Sequence, residues 1–125
     1  MRKLGRSMLD QTLSEVHVAL YRVVAMEALR FPQLGARFYQ LGPKRGDLLV
    51  SRYLEGQIKL GRLARENPLV MAQHLTHLFT GGPMRWALLG LRPYPGTREK
   101  LRHVDAVVKV FLRAYSTDRA ARGRA

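Results

Sequence analysis

Residues 98–115 read REKLRHVDAVVKVFLRAY, the pattern of a helix with more apolar surface than one core can cover. At about 100° per residue, the charged side chains fall within roughly 80° of one another. The apolar side chains occupy two adjoining faces that span about 240°, whereas a helix lying on one core needs little more than about 100°. We therefore predict that this helix packs both on its own core and on a second copy of the chain, in a two-fold homodimer.

The predicted dimer interface is the first of these two apolar faces. It consists of Leu101, Val104, Val108, Phe111, Leu112 and Tyr115. The second face lies directly beside it and consists of Ala106, Val107, Val110 and Ala114.

A second informative stretch, EVHVALYRVVAMEALR at residues 15–30, is apolar nearly all the way round a helix. A helix without a wide polar face is buried on most sides. We therefore predict that this helix runs through the centre of the fold.

Proline, glycine and small polar residues divide the chain into further helices. Ser14 and Asn67 are typical N-cap residues, and several prolines stand where a first helical residue tolerates proline. The Gly-Gly-Pro run at residues 81–83 predicts a kink or a break, because proline removes a backbone donor and disfavours helix at the preceding residue. No alternation typical of strands occurs, so the predicted fold is all-α, with about six helices.

The length of 125 residues favours a single domain. We assign residues 1–116 to it and expect the basic residues 117–125 to form a disordered tail. The absence of cysteine excludes thiol chemistry, iron–sulfur clusters and thiolate zinc sites. Every apolar stretch is shorter than the roughly 18 residues of a membrane span, and residues 1–25 do not resemble a signal peptide. We therefore predict a cytoplasmic protein without a membrane partner.

The chain contains 22 Lys and Arg against 9 Asp and Glu, a formal net charge of +13. Such an excess is typical of proteins that bind polyanions. Here the positive charge is spread evenly along the chain, which favours a solvated exterior over a dedicated binding strip. A small basic helical protein that binds nucleic acid or anionic surfaces non-specifically is the alternative function.

The sequence carries no pattern typical of catalysis or of cofactor binding. It has neither a Gly-rich phosphate loop nor a Gly-x-Ser-x-Gly nucleophile turn. His74 and His77 share a helix face, but no Asp or Glu occurs between Glu66 and Glu99 to supply a third metal ligand. We therefore expect no enzyme, no cofactor and no metal site.

Aromatic, methionine and histidine side chains form the remaining candidate site. Two interpretations are open: they fill an ordinary core, or they line a cavity between helices in which histidine and tyrosine orient a ligand. The candidate pocket residues are His17, Met26, Phe38, Tyr39, Tyr53, Met71, His74 and Trp86.

Several stretches, in order along the chain, resemble one protein family. They include RVVAMEALRFPQL at residues 22–34, FYQLGP at residues 38–43 and VFLRAY at residues 110–115. Together with shorter segments they extend over about residues 4–116. They resemble the C-terminal domain of TetR-type transcriptional regulators of the AefR-like, proteobacterial kind.

The resemblance implies an effector-binding and dimerisation domain of a bacterial repressor. It implies that the last two helices, here residues 68–90 and 98–115, form a four-helix bundle with those of a second copy. It also implies that a small apolar or aromatic effector binds between the central helices. Such regulators read DNA through an N-terminal helix-turn-helix domain, for which this chain shows no pattern. We therefore expect contact with operator DNA only through a domain that is absent here.

Overall fold

The computed structural model describes residues 1–91 and 95–117. These residues form six helices, which confirms the predicted all-α fold. In chain order the helices are α1 (Arg2–Thr12), α2 (Glu15–Glu27), α3 (Pro32–Leu41), α4 (Pro43–Lys59), α5 (Pro68–Leu88) and α6 (Thr97–Tyr115). Apart from residue 117, the predicted tail lies outside the described residues. No helix in the described ranges is long and apolar enough to span a membrane.

The helices begin where the sequence places capping residues. The Ser14 hydroxyl accepts a hydrogen bond from the backbone N–H of His17 (3.2 Å), and Oδ1 of Asn67 accepts one from that of Leu69 (3.0 Å). Each side chain thereby satisfies a donor that has no partner within the helix. Helices α3, α4 and α5 each begin with proline, whose missing donor costs no hydrogen bond at that position. These predicted helix starts are confirmed.

Helix α5 is the centre of the fold. Its residues Met71, Leu75 and Phe79 are fully buried, and α1, α4 and α6 pack around them. Gly5 permits the close approach of α1, because a Cβ at that position would lie 2.4 Å from Cε1 of the Phe79 ring. The core cluster consists of Leu9, Val50, Leu54, Leu63, Met71, Ala72, Leu75, Phe79, Val104, Val107 and Phe111.

The prediction that residues 15–30 run through the centre of the fold is wrong. Helix α2 ends at Glu27 and lies at the periphery, where it packs on α1, α3 and α5. Only Val18 and Val24 of α2 are buried. The opposite side of the helix is an exposed apolar stripe formed by Val16, Leu20, Val23 and Met26. An apolar composition therefore does not show that every face of this helix meets another element of the same copy.

Of the kink or break predicted at residues 81–83, the break does not occur, since α5 continues through Pro83 to Leu88. Gly82 makes the proline easier to accommodate, because it has no Cβ to clash with the proline ring. In an ordinary helix, the backbone N–H of residue 83 would donate to the Phe79 carbonyl. Here that carbonyl accepts a hydrogen bond from Nε2 of His103 at 2.8 Å. Helix α6 thereby supplies the donor that the proline removes.

Contacts at both ends fix α6 beside its neighbours. Lys100 Nζ lies 3.2 Å from the Asp10 carboxylate of α1. At the other end, an antiparallel bridge between Leu63 and Ser116 joins the end of α6 to the connection between α4 and α5. These contacts tie the start of α6 to α1 and its end to the connection between α4 and α5.

Candidate functional site

A cavity of about 330 Å³ lies between the end of α1, the second half of α5 and the start of α6. This volume is at the lower end of the range of small-molecule sites, roughly 300–1,000 Å³. Most of the wall is apolar, and Trp86 contributes an aromatic ring. The lining residues are Leu9, Leu13, Gly82, Pro83, Trp86, Pro95, Glu99, Lys100 and His103.

Two of the three titratable side chains in this wall are already engaged by the protein. The Lys100 ammonium is paired with Asp10, and Nε2 of His103 donates to the Phe79 carbonyl. Glu99 has no ion-pair partner among the described residues. The cavity therefore combines an apolar, aromatic surface with a few fixed polar groups, the usual composition of a site that orients a ligand.

A groove of about 430 Å³ runs along the outer side of the same two helices. Leu78 and Val110 remain 41% and 50% exposed there. Nδ1 of His74 shares a hydrogen bond with the Tyr115 hydroxyl, and the two rings are stacked. The groove is lined by His74, His77, Leu78, Val110, Phe111, Ala114 and Tyr115. We call this surface, together with the exposed Ala106, the outer α5–α6 face.

The outer α5–α6 face shares only Phe111 and Tyr115 with the predicted dimer stripe. Val104 and Phe111 are only 1% exposed and belong to the core, so they offer almost no surface to a second copy, although Phe111 also contributes to the groove wall. Val108, Leu112 and Tyr115 are partly buried against that core, whereas Leu101 is 41% exposed. The sequence contains both apolar faces, but the packing on α1 and α5 decides which one is internal. The exposed face is mainly the second, with Ala106, Val110 and Ala114.

The eight predicted pocket residues do not line one cavity. Trp86 lines the cavity described above, His74 lines the groove, and Met71 is part of the core. His17 and Phe38 meet between α2 and α3, with ring centroids 5.9 Å apart. The remaining three, Met26, Tyr39 and Tyr53, are exposed.

Sequence reasoning missed cavity residues from the interior of α5, from the connection before α6 and from the start of α6. Pro83, Pro95, Lys100 and His103 were not among the predicted pocket residues. One signal was present, because a proline inside a helix leaves a carbonyl without its donor and therefore implies a donor from elsewhere. That donor is His103.

His17, in the first turn of α2, has a perturbed environment. Its ring centroid lies 6.3 Å from that of Tyr21 and 5.9 Å from that of Phe38. Partial burial lowers the pKa of His17 from its ordinary value, because desolvation disfavours the charged imidazolium. Nowhere in residues 1–91 and 95–117 do three His, Asp or Glu side chains come together as metal ligands.

Residues 1–117 match the family described as AefR-like transcriptional repressor, C-terminal domain. The chain belongs to this family. Among curated proteins, no sequence matches it significantly. As an AefR-like C-terminal domain of the TetR type, it has the all-helical fold expected from the resemblance in its sequence.

Two solved structures are similar to this AefR-like domain. One is described as a TetR-family transcriptional regulator from Mesorhizobium loti MAFF303099; it is 27% identical, with a TM-score of 0.87 over 93% of this chain and 57% of that one. The other is the flavonoid-responsive regulator FrrA, also 27% identical, with a TM-score of 0.76 over 86% of this chain and 55% of that one. The domain thus spans a little over half the length of either regulator.

Proposed function

We propose that this chain is the ligand-sensing and dimerisation portion of a TetR-type transcriptional repressor. The observation that carries the proposal is that the same two helices bear both candidate sites. Helices α5 and α6 form most of the cavity wall on one side and the outer α5–α6 face on the other. A ligand in the cavity therefore contacts the elements through which two copies would associate.

The dimer in this proposal forms through the outer α5–α6 face. The exposed Leu78, Val110 and Ala114 would be covered by the same residues of a second copy, in a two-fold, self-complementary contact. Four helices, two from each copy, then form a bundle. Membership of a family whose regulators act as dimers with effector ligands supports this arrangement.

The effector in this proposal is a small apolar or aromatic molecule bound in the cavity beside Trp86. The predominance of leucine, proline and tryptophan in the wall favours an apolar ligand over a highly charged one. The relative FrrA is flavonoid-responsive, which supports an aromatic effector here. By binding one arrangement of α5 and α6 more tightly than another, the effector would shift the population of dimer geometries. A DNA-binding domain attached to each copy would convert that shift into a change of operator affinity.

Two measurements on the full chain test the proposal. Sedimentation velocity over a micromolar concentration series should show a homodimer. Trp86 is the sole tryptophan and lies in the cavity wall, so its fluorescence should change saturably on titration with flavone. The dimerisation half fails if the chain remains a monomer throughout the series. The sensing half fails if flavone and smaller aromatic probes such as 2-naphthol leave the Trp86 emission unchanged and release no heat in calorimetry.

A further inference from the structure

The hydrogen bond between His103 and Phe79 determines what the cavity offers to a ligand. A carbonyl oxygen only accepts hydrogen bonds, so Nε2 of His103 must carry the proton that it donates at 2.8 Å. In the neutral ring, Nδ1 then has a free lone pair and is an acceptor. No residue in the described part of the chain forms a hydrogen bond with Nδ1 of His103, and His103 lines the cavity.

The other charged groups of the wall reinforce this preference for a donor. Nζ of Lys100 uses one of its three donors on the Asp10 carboxylate, which pairs its positive charge with a negative one. Glu99 is exposed and carries a carboxylate, which accepts hydrogen bonds and repels an anionic ligand. The cavity thus presents acceptors beside an aromatic surface, and a neutral ligand with a hydroxyl donor suits it better than a carboxylate.

We propose that His103 recognises a hydroxyl group of the effector through a hydrogen bond. The effector is a neutral, planar aromatic molecule of the phenol class. The ring stacks or packs against Trp86, and the hydroxyl donates to Nδ1 of His103. This inference rests on the proposed function, since it takes the cavity to be the effector site. It adds the chemical class of the ligand and the residue that selects it.

The same imidazole connects the ligand to the helices of the proposed dimer. When Nδ1 accepts a hydrogen bond, the ring is polarised and its Nε2–H becomes a better donor to the Phe79 carbonyl. A hydroxylated ligand therefore strengthens the hydrogen bond from His103 of α6 to the Phe79 carbonyl of α5, and an unsubstituted ligand of the same shape does not. Ligands of similar size would then differ in their effect on the outer α5–α6 face.

The test compares flavone with 6-, 7- and 4′-hydroxyflavone, with binding followed by Trp86 fluorescence and by calorimetry. We expect at least one hydroxylated compound to bind about three- to tenfold more tightly than flavone, the effect of one added hydrogen bond. Removal of His103 alone would also leave the Phe79 carbonyl without a hydrogen-bond donor. The informative variant is therefore Pro83→Ala combined with His103→Leu, in which α5 regains its own donor. The preference should persist in Pro83→Ala and disappear in the double variant.

The outcomes separate this inference from the function on which it rests. If no flavone binds, the cavity is not the effector site. The proposed sensing function and the proposed role of His103 are then both overturned. If all four compounds bind the unaltered chain with equal affinity, the cavity binds aromatic ligands but His103 does not read a hydroxyl. The same conclusion follows if the preference survives in the Pro83→Ala, His103→Leu double variant.

Discussion

Nε2 of His103 lies 2.8 Å from the carbonyl oxygen of Phe79, the oxygen that Pro83 deprives of its helical donor. A side chain of α6 thus supplies the hydrogen-bond donor that the backbone of α5 lacks at Pro83. Both Pro83 and His103 also line the cavity. The contact therefore links the integrity of the central helix, the packing of the last helix and the candidate ligand site.

Loss of the His103 side chain should destabilise the fold more when Pro83 is present, because the Phe79 carbonyl then depends on His103 for its hydrogen-bond donor. We expect His103→Leu to lower the free energy of unfolding by about 1–3 kcal/mol, because a buried carbonyl is left unsatisfied. In a Pro83→Ala background the helix supplies its own donor, and the same substitution should cost less than about 1 kcal/mol. Urea unfolding of the four proteins gives the coupling energy directly. Equal costs in both backgrounds would show that His103 stabilises the fold in some other way.

Glycine at position 5 is required by the ring of Phe79. We expect Gly5→Ala to destabilise the fold by about 1–3 kcal/mol, because its Cβ would overlap a ring that is itself fully buried. Gly46→Ala in α4 is the matched control, since a Cβ there meets nothing within 4 Å. That substitution should stabilise the fold by up to about 1 kcal/mol through helix propensity. Thermal unfolding of the two variants should therefore shift in opposite directions, and a shift in the same direction would contradict the proposed overlap.

The features that were predicted correctly from sequence are local ones. Ser14 and Asn67 cap the helices that follow them, because a cap depends on atoms within three residues of chain. A kink or break at Pro83 was predicted from equally local rules, and the break is absent. The compensating donor is His103, 20 residues later in the chain. A local rule cannot include a partner that only the tertiary fold brings into contact.

Burial and site geometry depended on information that hydropathy does not contain. Val16 and Val18 are similar in the sequence pattern of α2, yet the first is exposed and the second is buried. Hydropathy shows that a face is apolar, but not which element covers it. Likewise, the predicted pocket residues share a chemical character, whereas the cavity joins Trp86 to Pro95 and His103 from other elements.

The stability of the fold should depend on pH through His17. Its pKa is lowered in the folded state by burial, so below the ordinary histidine value of about 6.5 the unfolded chain takes up a proton first. The unfolded state then binds more protons than the folded state, and the free energy of unfolding falls as the pH falls toward the lowered pKa. We expect His17→Gln to show a shallower decline in urea unfolding across this window. An identical decline in both proteins would assign the effect to other groups.

Two valines of similar exposure distinguish the candidate association surfaces. Val110 on the outer α5–α6 face and Val23 on the α2 stripe are 50% and 55% exposed, so arginine fits at either position without entering the core. We expect Val110→Arg to weaken dimerisation by at least about tenfold, because each copy would place a charge in an apolar contact. Val23→Arg adds the same charge elsewhere and should leave the dissociation constant unchanged. Sedimentation velocity over a concentration series measures both.

Phe111→Arg cannot replace Val110→Arg in this comparison. Phe111 is 1% exposed, so arginine there would carry its charge into the core and unfold the single copy, whether or not α6 also pairs with a twin. Val110→Arg should instead remain fully helical by circular dichroism and melt cooperatively while it sediments as a monomer. If Val23→Arg dissociates the dimer and Val110→Arg does not, then the stripe on α2 is the interface. Ligand binding in the cavity would then have to affect dimerisation through α2 rather than through α5 and α6.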